Sequence, residues 1–121
     1  MYVIQNGALC TMDEQGVIQA DLRVDHGKII EIGSDLPVDG AKVIDAMGKV
    51  VTPGFVDAHS HVGGIAEGGQ ADLNEITNPL TPELDAYYGI NPQDDIFQTV
   101  IQQGITTSCV APGSANVVCG W

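Results

Sequence analysis

Cationic residues are scarce in this sequence: four Lys and Arg stand against sixteen Asp and Glu, for a formal charge of -12. A polyanion such as nucleic acid is repelled by that field, and no basic patch exists to offset it. Anionic membrane surfaces are disfavoured for the same reason. The plain reading of the acidity is that it keeps a cytosolic protein soluble. Cysteine is scarce as well. Cys10, Cys109 and Cys119 form an odd set with no paired spacing, which argues against a secreted disulfide framework and for a reducing compartment. No run approaches the roughly 20 apolar residues of a membrane span. The start, Met1 to Asn6, lacks the basic region and long apolar stretch of a signal peptide. The expected location is the cytoplasm. Neither an internal repeat nor a low-complexity tract is visible.

What is present is a globular composition. Of 121 residues, 44% are apolar and 17% charged, enough for a small domain with a hydrophobic core and too apolar for a disordered chain. Fifteen Gly and six Pro imply many turns. Residues 1 to 50 read as short β-strands in a small antiparallel module. Tyr2-Val3-Ile4 and Ala8-Leu9-Cys10-Thr11 are separated by Asn6-Gly7, a strong turn pair. Val17 to Val24 is a second strand region. Asp25-His26-Gly27-Lys28 suits a two-residue hairpin turn, the glycine supplying the positive φ and His26 lying at the surface. Ile29 to Ile32 is the partner strand, Ser34 to Gly40 a polar loop, and Lys42 to Asp45 another short strand.

The pattern changes near residues 48 to 52, where the module boundary is expected. Val50-Val51, the Pro53-Gly54 turn and Phe55-Val56 form a mostly apolar run that suits a strand buried on both faces. It leads into Asp57-Ala58-His59-Ser60-His61. A long polar connection follows from Gly63 to about Asn91, with a short helical turn expected near Pro82 to Tyr88. Asn91 then reads as a helix N-cap, Pro92 as the first helical position, and Asp94 and Asp95 as acidic residues suited to the dipole. Ile96, Phe97, Val100 and Ile101 share a helical face, and Gly104 is the stop. Ile105 to Val110 is β-branched and short, ending at Pro112-Gly113. Strand, helix, strand make one βαβ unit, so the fold class is α/β, with residues 1–50 one module and 51–121 the start of another.

His59 and His61 carry the chemistry. On a strand, side chains two apart face the same way, so both imidazoles project together while Ser60 points elsewhere. Two neutral imidazoles on one side are half of a typical divalent zinc site. Asp57, on the same face, is placed to orient a ligating histidine. A bare His-x-His pair is weak evidence on its own, since surface histidines at that spacing arise by chance. Among the other candidates, Cys109 reads as a small buried hydrophobe and Glu67 as a solvated loop carboxylate. Cys119 lies in the terminal loop. For Pro112-Gly113-Ser114-Ala115-Asn116, the border of a substrate pocket and a plain turn are equally open readings.

The stretch Val51-Thr52-Pro53-Gly54-Phe55-Val56-Asp57-Ala58-His59-Ser60-His61-Val62 resembles the motif that opens the barrel in the amidohydrolase superfamily: an apolar strand after a Pro-Gly turn, ending in Asp-x-His-x-His. Asp25 to Gly33 looks like the hairpin that precedes it, and Asp45 to Val51 like the link into the barrel. Asn74-Glu75 to Asn91-Pro92 and Gly104-Ile105-Thr106-Thr107 resemble the imidazolonepropionase-like branch. The resemblance implies a (β/α)8 TIM barrel beside a β-sandwich built from both chain ends. Residues 1–50 would be the N-terminal part of the sandwich, and residues 51–121 strand one, loop, helix one and strand two of an incomplete barrel. It implies His59 and His61 as metal ligands at the C-terminal end of the first barrel strand. Further ligands and a general-base aspartate would lie on later strands, outside this chain. A barrel takes roughly 250 residues, whereas 70 follow Val51. The implied activity is hydrolysis of a C–N bond in a small amide, cyclic amide or dipeptide-like substrate by a water activated on a divalent metal, zinc foremost. The resemblance is also compatible with a homo-oligomer.

Two rival readings stand beside it. A cupin also uses a His-x-His pair followed by a glutamate, and about 120 residues would complete one. Here Glu67 falls slightly too far from His61, and a cupin would continue as alternating strands. A non-catalytic piece, truncated or assembling with another chain, is the second rival.

Overall fold

A computed structural model of the chain describes residues 1–64 and 77–120 and divides them between two compact units, Met1–Pro53 and Gly54–Trp121. Glu67 and the Asn74-Glu75 pair lie outside the described residues.

The first unit is a five-stranded sheet: β1 (Tyr2–Cys10), β2 (Val17–Asp25), β3 (Lys28–Gly33), β4 (Lys42–Asp45) and β5 (Val50–Val51). Its order is β3-β2-β1-β4, with β5 also paired to β1. The sheet is mixed, which corrects the expected antiparallel module. β1, β2 and β3 form a meander, but β4 and β5 run parallel to β1, Tyr2 opposite Lys42 and Ala8 opposite Val50. The β2–β3 turn is as read: His26 (φ 45°) and Gly27 (φ 74°) both take positive φ, as a two-residue hairpin turn requires.

Asn6-Gly7 does not reverse the chain. β1 runs straight through it, and Gln5 and Asn6 together oppose Asp21, a one-residue bulge between the Ile4–Leu22 and Gly7–Ala20 pairs. The turn propensity of Asn6 is spent on a left-handed φ of 63°. The bulge shifts side-chain parity: Ile4 pairs with Leu22 and Leu9 with Ile18, so residues of opposite parity share one face. On that face Leu9, Ile18, Leu22, Ile29, Ile32 and Val51 line an apolar hollow of about 450 Å³.

The bulge is held by Asp21, which is 7% exposed. Its carboxylate accepts the backbone N–H of Asn6 at 3.0 Å and of Leu36 at 3.1 Å. The Asn6 side chain reaches Asp45 at 3.0 Å. The Asn6 hydrogen bond holds the Asp21 carboxyl below its ordinary 3.8, against burial, which works upward; the Leu36 bond adds to the lowering. A folded-state value below the unfolded one means that the ionised form stabilises the fold. That contribution is complete above the ordinary carboxylate range and is lost as pH falls through it to the lowered value. Replacing Asp21 with Ala leaves two backbone donors without a partner and is expected to cost about 1–3 kcal/mol for each group left unsatisfied. Urea unfolding at neutral pH and at about pH 3 checks both statements, the gap between parent and variant narrowing at the lower pH.

The second unit begins with β6 (Phe55–Ser60) and ends with β7 (Ile105–Val110), which pair in parallel, with α1 (Ile96–Gln102) between them. This is the βαβ arrangement, and among the described residues of this unit no run of alternating strands of the kind a cupin needs is found. α1 is shorter than read. Asn91 and Asp94 close tight turns instead, accepting from the N–H of Gln93 at 3.1 Å and of Ile96 at 2.9 Å, and the helix starts only after Asp95. These side chains compete with the backbone for local donors, so an acidic, Asn-led stretch delays the helix. Gly104, at φ 87°, ends it as expected, its N–H bonded to the Ile101 carbonyl at 3.0 Å. A 3-10 turn at Ala86–Gly89, capped by Asp85, is the short helical turn of the long connection. β6 is not buried on both faces as expected: Phe55 is 56% and Val56 70% exposed. Among the described residues β7 is its one sheet neighbour.

Candidate metal centre

The site lies where β6 ends. The β6–β7 register slips by one residue between Asp57 and Ser60, so Ala58 and His59 sit on a bulge, a device that re-aims side chains at a strand end. His59 belongs to the strand, and His61 lies just past its end, so the expectation of two histidines on one regular strand is only partly met. They nevertheless come together: the ring centroids are 5.0 Å apart, edge to face at 85°. Ser60 between them is buried, and its Oγ accepts the N–H of Val62 at 3.1 Å, turning the chain out of the strand.

The two rings are held differently. His61, half-buried, places Nδ1 3.0 Å from the Ala111 carbonyl at the end of β7. Its own carbonyl accepts from Gly64 at 3.1 Å, and the Gly63 carbonyl accepts from Asn91 at 2.8 Å. The His59 ring is exposed, and among the described residues no hydrogen bond holds it. Asp57 does not orient an imidazole, as the spacing implied. Its carboxylate accepts the backbone N–H of His59 at 3.2 Å, the nearest local donor two residues on.

Gly63 sets the path of the loop. It takes φ +76°, and a Cβ there would stand 2.6 Å from the Phe97 ring of α1. Sequence reading missed it, although the Gly63-Gly64 pair, one residue beyond a candidate ligand, was the visible sign. The Ala111 carbonyl was also missed, since it shows only once the parallel register sets the end of β7 beside the end of β6. A cleft of about 370 Å³ opens beside His61, lined by Val62, Gly63, Asp94 and Ile96. Residues 54–121 hold eight Asp and Glu and no Lys or Arg, a field that favours a bound cation.

Among the described residues, the remaining candidates form no metal-binding group with the two rings. Cys109 is exposed on β7, not buried as expected, because the face of β7 that carries it is uncovered among the described residues. Cys10 is half-buried, Cys119 is exposed, and all three cysteines are free. His26 stands in its turn with its side chain 94% exposed. Asn116 joins two loops, donating to the carbonyl of Asn78 at 3.0 Å and to Thr81 Oγ at 2.9 Å.

The imidazoles fit the opening of a divalent site: His61 Nδ1 is engaged, which leaves Nε2 to face a ligand. They do not complete one, for among the described residues no group of three or more His, Cys, Asp or Glu gathers. No helix of the described residues is long and apolar enough to cross a membrane.

Known proteins resemble this chain over most of its length. The Amidohydrolase family model matches residues 42–98. Amidohydrolase tasK of Hapsidospora irregularis is 34% identical over 109 residues, 83% of this chain and 11% of that protein. An allantoinase of Enterococcus faecalis is 50% identical over 60 residues, 50% of this chain and 12% of that protein. The crystal structure of an amidohydrolase from Thermotoga maritima superposes with a TM-score of 0.81 at 36% identity, covering 99% of this chain and 32% of that one. The chain therefore spans a minor part of each.

Proposed function

The chain belongs to the amidohydrolase superfamily, and from that premise we propose that it supplies the first part of a metal-dependent hydrolase of C–N bonds. His59 and His61 would be its first two metal ligands, and zinc the foremost ion. Residues 54–121 would open a (β/α)8 barrel, β6 being strand one, α1 helix one and β7 strand two. Residues 1–53 would form one layer of a β-sandwich, whose open apolar face a second layer would cover. The substrate is a small amide or cyclic amide, a class supported by relatives that are an amidohydrolase and an allantoinase.

The observation that carries this reading is the pairing of the two imidazoles at a strand's C-terminal end, 5.0 Å apart, one of them anchored through Nδ1. When bound, a divalent ion lowers the pKa of its water toward about 7 and polarises the scissile carbonyl. The chain's own contribution is to hold two neutral nitrogen donors at the mouth of the sheet, and to admit substrate through the cleft beside His61. With two donors of the usual tetrahedral four, the 121-residue chain alone is expected to turn over no amide. The natural protein is expected to bind a divalent metal stoichiometrically and to hydrolyse amides in a chelator-sensitive way. Metal analysis, intact mass and an amide-hydrolysis screen test this. Hydrolysis that survives complete metal removal, or turnover by the pure 121-residue chain, defeats the reading.

A further inference from the structure

A carbonyl oxygen only accepts hydrogen bonds, so the His61 Nδ1 that lies 3.0 Å from the Ala111 oxygen carries the ring proton when the imidazole is neutral. The acceptor is itself fixed. Ala111 donates its N–H to the Ser60 carbonyl at 2.8 Å, tying the last residue of β6 to the residue after β7. Pro112 follows and confines Ala111 to extended backbone, which sets the direction of the carbonyl. Neither of the other two histidines has such a hold. The His59 ring is exposed and His26 is almost wholly in solvent.

We infer that the turn leaving β7 is a positioning element for the metal site: the Ala111 carbonyl locks His61 in its Nδ1–H tautomer and presents the Nε2 lone pair for coordination, while His59 is the donor that adjusts. This rests on the proposed role of His61 as a ligand. A ligating histidine depends on what its other nitrogen does, for that bond fixes both tautomer and ring orientation. Here the bond comes from the neighbouring strand's backbone, so it forms with the β6–β7 pairing and needs no second side chain. A neutral imidazole free in water favours the opposite, Nε2–H form, which makes the inference sharp.

Nitrogen-15 spectra of the three rings test it in the chain itself, at about pH 8, where histidine is neutral. His61→Gln removes one set of signals and so assigns it. The expected result is His61 as Nδ1–H, His26 as the solvent mixture dominated by Nε2–H, and His59 averaged. In the natural protein, which would supply the remaining donors, stripping the metal and reloading with zinc should move Nε2 of His61 to the coordinated range while Nδ1 stays protonated. His61 found as Nε2–H, all three rings showing the same averaged shifts, or zinc attached at Nδ1, would overturn the inference. An Nδ1–H ring that zinc leaves untouched keeps the hydrogen bond but defeats the ligand role, and the positioning role with it.

Discussion

Replacing either His59 or His61 with alanine in the natural protein is expected to empty the metal site and take hydrolysis below detection. The rings stand 5.0 Å apart at one strand end, and each would supply one of about four donors to a tetrahedral ion. Loss of an outer partner of a metal ligand costs about 10–100-fold in affinity or activity, and loss of a direct ligand exceeds that. The two substitutions act as a unit, so the double variant should be no worse than the weaker single one. His26→Ala is the control, with its side chain 94% exposed in a hairpin turn, and should change neither metal content nor kcat/KM. Metal content measured alongside kinetics decides the matter. A His59→Ala or His61→Ala protein that keeps its full complement of metal would refute the ligand assignment.

Gly63→Ala is expected to destabilise the protein by about 2–5 kcal/mol. Two separate effects add. At φ +76° an L side chain meets the left-handed penalty, about 1–2 kcal/mol. The new Cβ would also stand 2.6 Å from the Phe97 ring, an overpacking worth about 1–3 kcal/mol. Combining the change with Phe97→Ala separates them. The smaller residue at 97 relieves the clash but not the backbone strain, so the double variant should be less destabilised than the sum of the singles. Urea midpoints give the numbers, and strict additivity would show that the clash is absorbed elsewhere. Because His61 lies two residues before Gly63 and its carbonyl accepts from Gly64, the single variant should also weaken metal binding.

Elements whose signal is local could be read directly. The His26-Gly27 turn, the stop at Gly104 and the strand Ile105–Val110 each depend on a few adjacent residues, and each lies where the sequence put it. The misreadings share another cause. Asn6-Gly7 has the composition of a turn, but Asp21 and Asp45 engage its polar groups and the sheet continues. Lys42–Asp45 reads as a short strand and Val50-Val51 as part of the run into β6, and only their shared long-range partner, β1, makes both of them parallel strands of the first sheet. At the site, the His-x-His pair was legible and its support was not. Asp57 spends its carboxylate on a backbone donor, and the atom that fixes His61 is a main-chain oxygen 50 residues away, which no side-chain pattern encodes. Cys109 has the apolar character of a core residue, yet what it touches is decided by the covering of β7, not by its own sequence.

The central position of β1 has a consequence for how the chain is made. On one side it closes early, through the Thr11–Gly16 turn onto β2. Its other side is completed only by Lys42–Asp45 and Val50–Val51. During synthesis β1 thus emerges well before the strands that complete it, with one row of backbone donors and acceptors open until residue 51 emerges. An open edge of that kind is a template for a neighbouring nascent chain. Crowded translation is therefore a condition under which this sheet is exposed to mispairing.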